Sequence, residues 1–168
     1  MNIGTVNINI THGQSSVARA FIEAMLRSPE TGESESIETS HAVPQIGEYW
    51  QGQGGIYAGM CRGLNGERDY PLILFTEITE TERNWKDSLD ASKEITADGH
   101  QDFHVPTKEE SALLYANLKD KFDADTWYWT STQYSDSHAW IQYFDNGHQN
   151  DTSKSSERRC CFVRRLVL

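Results

Sequence analysis

The chain has 168 residues, 37 % hydrophobic and 11 % aromatic, and a net charge of −10. That length is one domain of ordinary size, and no stretch nears the roughly 20 apolar residues of a membrane helix. Between Ser28 and Ser153, 8 Lys/Arg stand against 23 Asp/Glu, an excess that repels phosphate backbones and disfavours direct nucleic-acid binding.

The chain opens on an alternating strand, Thr5 to Ile10, with Val6, Ile8 and Ile10 on one face. Ser15 to Arg27 follows as a short helix, with Val17, Phe21 and Ala24 on a shared side. Residues 1–27 thus form an expected anchor or oligomerisation segment. Residues 28–42, rich in Ser, Thr, Glu and Gly, form an acidic linker. The main domain is expected over 43–168. In it, Gly47 to Gly63 interleaves glycines with aromatics and lacks the spacing of a phosphate-cradling loop, so it predicts close-packed strands and turns.

Pro71 to Thr76 predicts a buried strand. Thr79 to Glu82 has the spacing of a capping box, predicting a helix that carries Trp85 and Leu89. Thr107 and Glu110 repeat that spacing after Pro106 and predict a helix from Lys108 to Lys119, with Leu114 and Leu118 inward. Trp127 to Thr132 and His138 to Phe144 predict strands. Trp129, Trp140 and Phe144 are expected in the core. Asn146-Gly147 signals a hairpin, Gln149 to Glu157 a polar loop, and Cys160 to Val167 a last strand. Helices in the middle and a C-terminal antiparallel meander define an α+β fold.

Cys61, Cys160 and Cys161 match no metal-binding spacing, since adjacent residues on a strand face opposite ways. His100, Asp102 and His104 share an extended segment, a weak metal pattern. Arg164 is expected to pair with a carboxylate inside the fold. The odd cysteine count, and the absence of a secretory-signal pattern in Met1 to Thr11, point to synthesis in the cytoplasm, with virion association as a further setting.

Several motifs occur in a fixed order: His104-Val105-Pro106-Thr107-Lys108-Glu109-Glu110, Leu114-Tyr115, Tyr128-Trp129-Thr130-Ser131-Thr132, Ala139-Trp140, Phe144-Asp145-Asn146-Gly147 and Phe162-Val163-Arg164. In this order they resemble the C-terminal domain of the Legionella collagen-like adhesin, over roughly Ile46 to Leu166. The resemblance implies a C-type-lectin-like domain, similar to formylglycine-generating enzymes and to retroelement-diversified receptor-binding proteins. Its C-terminal strands and loops would display a ligand-binding face. It also implies an exported adhesin or a phage or prophage setting. Phe103-His104-Val105 departs from the Trp-Arg-Leu usual there, so His104 stands where the family has arginine.

The candidate binding residues lie between the motifs: Gln133, Tyr134, Asp136 and His138 in one polar segment, and His148, Asn150 and Asp151 in another. Tyr134 offers a rigid ring with a hydroxyl, well suited to recognition. No catalytic constellation, metal set or cofactor motif emerges. The expected partner is a protein or glycan ligand. The alternatives are an acidic intracellular inhibitor that occupies the basic nucleic-acid-binding surface of a host protein, and a virion structural or decoration subunit. Self-association is expected through Val6, Ile8, Ile10, Val17 and Phe21.

Overall fold

A computed structural model describes residues 43–166. The expected anchor, with Val6, Ile8, Ile10, Val17 and Phe21, and the linker over 28–42 lie outside the described residues. The described chain is α+β, with two sheets and two short helices. In order it forms β1 (Tyr49–Trp50), β2 (Gly55–Cys61), β3 (Tyr70–Leu74), β4 (Thr79–Arg83), α1 (Trp85–Ala91), α2 (Lys108–Leu118), β5 (Trp127–Gln133), β6 (His138–Tyr143), β7 (Gln149–Ser153), β8 (Arg158–Cys160) and β9 (Val163–Arg165).

One sheet has the order β1-β2-β3-β9 and the other β4-β8-β5-β6-β7. Leu72, Ile73 and Leu74 of β3 are all fully buried, because the first sheet is covered on both faces. Leu72 and Leu74 join the core under α2, with Leu114, Leu118, Tyr128 and Phe144, while Ile73 packs on Trp50 and Tyr57. The same alternation splits β5. Tyr128 faces the α2 core, whereas Trp129 joins Phe103, Val105, Ile141 and Phe162 in a second core that Trp85 and Leu89 of α1 adjoin.

The start of α2 follows from its sequence. Thr107 Oγ1 accepts the Glu110 amide at 3.2 Å, and Glu110 Oε2 accepts the Thr107 amide at 2.7 Å, closing the capping box. Glu110 is fully buried. It also accepts from Tyr70 Oη at 2.9 Å and Arg165 Nε at 2.7 Å, and it pairs with His104 Nε2 at 3.0 Å. One carboxylate thereby joins β3, β9, the segment before α2 and the helix itself.

Cys160 lies in the α1-side core and Cys161 in the α2-side core, so adjacent thiols point apart. Arg164 pairs with Asp102 Oδ1 at 2.9 Å, as expected. Of the other C-terminal arginines, Arg159 pairs with Asp123 and Arg165 with Glu110, whereas Arg158 forms no ion pair among the described residues.

Several local expectations fail for tertiary reasons. Thr79 to Glu82 is not a helix start. Thr79–Arg83 pairs with β8, and the helix begins beyond Asn84, whose side chain accepts the Asp87 amide. The last predicted strand breaks at Cys161-Phe162, because β8 and β9 belong to different sheets. Gln149 to Ser153 is the edge strand β7 rather than loop. The hairpin at Asn146-Gly147 exists, but its loop runs from Phe144 to His148 and of the pair only Gly147 is left-handed, at φ +77°. A Cβ at Gly147 would also stand 2.5 Å from the Tyr115 ring, so the position admits only glycine. Trp140 is half-buried rather than core.

Burial alone would push the Glu110 carboxyl up. The hydrogen bond and charge of His104, then the Thr107 amide and Arg165, reverse that and hold it at about 2, against an ordinary 4.5. Because the folded value is depressed, the stabilisation is complete above 4.5 and is lost as pH falls towards about 2. It amounts to about 3 kcal/mol at roughly 1.4 kcal/mol per unit. Chemical denaturation across the acid range should show this loss in the wild type and a flatter profile in Glu110→Gln; identical profiles would contradict the assignment.

Candidate functional site

The β5–β6 hairpin carries the most exposed large aromatic among the described residues. Tyr134 is 57 % exposed at its tip. The tip is nonetheless closely held. The Tyr134 and Ser135 amides both donate to the His138 carbonyl at 3.0 Å, and the His138 amide donates to Ser135 Oγ at 3.1 Å. From the β7–β8 turn, the Lys154 amide donates to the Ser137 carbonyl at 2.8 Å and its Nζ to the Asp136 carbonyl at 3.1 Å. Lys154 Nζ also lies 4.4 Å from the centre of the Trp85 ring, which ties the tip to α1.

Beneath the tip, the Tyr134 ring stands edge-on to Trp140, with centroids 5.4 Å apart and planes at 86°. Lys108 Nζ sits 3.2 Å from the Trp140 ring centre. Lys108 opens α2, where the helix dipole disfavours a cation; the Trp140 quadrupole supplies the compensating attraction. The helix start is fastened to the sheet beside it. The Lys108 amide donates to Thr132 Oγ1 at 2.9 Å, and Gln149 Nε2 donates to the Lys108 carbonyl and to Gln142 Oε1, both at 2.8 Å. Gln142 is fully buried, so this network leaves little freedom.

Of the seven predicted binding residues, the structure groups five. Tyr134 and Asp136 form the exposed tip; Gln133 closes β5 and His138 opens β6 at its base. Asp151 of β7 lies opposite Trp140 in register. Asn150, opposite Ile141, points to the other face of the sheet. His148 sits at the far end of the β6–β7 hairpin, its ring 6.0 Å from Trp127, and does not belong with Tyr134. Sequence reasoning missed Lys108 and assigned Trp140 to the core. The available signal was a lysine at the first position of a capped helix, which needs a partner outside the helix.

A polar hollow of about 430 Å³ is lined by Asp102, His104, Thr107, Ser131 and Arg165. Its charges are already committed: Asp102 to Arg164, and His104 and Arg165 to Glu110. It is architecture. His100 Nε2 meets the Gly52 carbonyl at 3.0 Å, so His100, Asp102 and His104 each serve a different partner. Among the described residues no group of three His, Cys, Asp or Glu side chains is placed to hold a metal ion. Burial raises the thiol pKa of Cys61, Cys160 and Cys161, which keeps them protonated. No helix among the described residues is long and apolar enough to cross a membrane.

The family model of the Lcl C-terminal domain matches residues 29–164. The chain belongs to this family. The match begins upstream of Ile46, inside the segment read as a linker, so the Lcl C-terminal domain takes in more of the chain than its motifs alone indicate. Such a domain is related to the Legionella collagen-like adhesin, consistent with a binding module. Within the matched residues, His104 is one of the partners of Glu110. No curated protein matches the sequence.

A double-mutant cycle on Tyr134 and Trp140, read by chemical denaturation, should return a coupling of about 0.5–1.5 kcal/mol. Strict additivity would mean that the tip ring is not seated on Trp140.

Proposed function

We propose that the chain is a non-catalytic binding module of C-type-lectin-like type, reading a glycan or protein receptor through the β5–β6 hairpin tip. The observation that carries this reading is Tyr134, a large ring left 57 % exposed yet fixed by hydrogen bonds within the tip and by Trp140 beneath it. Exposed aromatics on a preorganised frame bind at low entropic cost. Asp136 in the same tip and Asp151, opposite Trp140 in register, offer acceptors suited to hydroxyl or amide donors. The buried, protonated cysteines support a role without covalent chemistry. The phage or prophage setting implied by the resemblance fits a receptor-reading module.

Retention on a glycan array and on immobilised cell-envelope extracts tests the reading. Tyr134→Ala and Asp136→Ala should each weaken retention by roughly tenfold or more, with thermal midpoints within a few degrees of wild type. Retention should also survive moderate salt, because recognition is by contact and not by the long-range field of the acidic surface. Unchanged retention in both variants removes the hairpin tip from the site. A steep loss with salt would favour the acidic surface as the binding face.

A further inference from the structure

Three charged side chains, Glu77 before β4, Arg83 at its end and Glu94 after α1, are left without ion pairs. Arg83, Glu77 and Glu94 line one hollow of about 510 Å³, yet none of them forms a salt bridge among the described residues. The floor of the hollow is apolar, made by Phe75, Phe162 and Ile95. It is also rigid. The Phe75 ring stands edge-on to Phe103 at 5.4 Å, and the Phe75 amide donates to the Phe162 carbonyl at 2.9 Å.

Arg83 is the unusual member. Its backbone is fixed by pairing with Arg158 and by the Trp129 indole, which donates to the Arg83 carbonyl at 2.8 Å. Its side chain is half-buried, and the contact it makes is from Nη1 to Cys160 Sγ at 3.8 Å. A thiol is a weak acceptor for a guanidinium. Arg159, Arg164 and Arg165 each hold a carboxylate in this acidic domain. Arg83 does not, although Glu77 and Glu94 line the same hollow. A partly desolvated guanidinium costs free energy unless an anion meets it, and the planar fork is well matched to a carboxylate.

We propose that this hollow binds a zwitterionic ligand with an apolar side chain, an amino acid or dipeptide, its carboxylate on Arg83, its ammonium at Glu77 and Glu94, and its side chain on Phe75 and Phe162. The volume falls in the range of small-molecule sites. Charge complementarity selects the zwitterion. A simple carboxylate leaves both glutamates unmatched, and a simple amine leaves Arg83 unmatched and adds repulsion. The site shares no lining residue with the hairpin tip and stands whether or not that tip binds a receptor.

Titration of the isotope-labelled full-length protein with L-phenylalanine and with the dipeptide Phe-Phe, followed by amide NMR, tests the proposal. At least one of them should give saturable shifts at Phe75, Ile95 and Phe162, whereas phenylpropionate and phenethylamine bind roughly tenfold more weakly or not at all. Arg83→Gln should weaken the zwitterion by a similar factor. Exposed Glu94→Gln, which leaves the core untouched, should weaken it too and serves if the Arg83 variant does not fold. Absence of saturable shifts with both zwitterions overturns the proposal. So does equal binding of either single-charge analogue, or wild-type affinity in the folded variants.

Discussion

The fold depends on one buried carboxylate. Enclosing Glu110 without partners would cost several kcal/mol, so every arrangement that buries it must bring a full set of donors to it. Tyr70 comes from β3, Arg165 from β9, His104 from the segment before α2, and the Thr107 amide from the cap itself. The cap is local and His104 lies just ahead of it, whereas Tyr70 and Arg165 come from distant strands. The residue that starts α2 therefore also fixes where the four-stranded sheet meets the helix. Once α2 is placed, Lys108 at its first position lies over Trp140, and the frame beneath the hairpin tip is complete.

The use of charge follows the same logic. A domain so rich in acid could have shown a basic C-terminal patch, since Arg158, Arg159, Arg164 and Arg165 crowd the last strands. Instead, three of them are consumed by Asp123, Asp102 and Glu110. The cations hold the architecture together, and the surface keeps its acidic character. That leaves the exposed Tyr134 ring, rather than a basic patch, as the distinctive surface feature of the β5–β6 side.

What the sequence disclosed was local or strictly periodic. The α2 capping box lies within four residues and forms as expected. Trp127 to Thr132 was legible as a strand from propensity, but that Tyr128 and Trp129 enter different cores is a finding of the structure. The strand β4 was hidden because its sequence has equal local reason to cap a helix, and only pairing with β8 decides. The strand β7 was hidden because a polar edge strand carries no apolar signal. For the site, Tyr134 was legible as a ring in a polar segment. Trp140 was expected in the core, and nothing local showed that Lys108 and Tyr134 would meet its ring instead. His148 was grouped with the tip because both lie in polar segments beside the hairpin strands, whereas the β6–β7 hairpin carries it to the opposite end.

The central claim is that the exposed tip is rigid before any ligand arrives. Amide hydrogen exchange on the free full-length protein tests it most directly. The Tyr134, Ser135 and His138 amides are all bonded within the tip, and they should exchange as slowly as the amides in the middle of β5 and β6. Exchange at the rate of an unstructured loop would contradict a preorganised recognition surface.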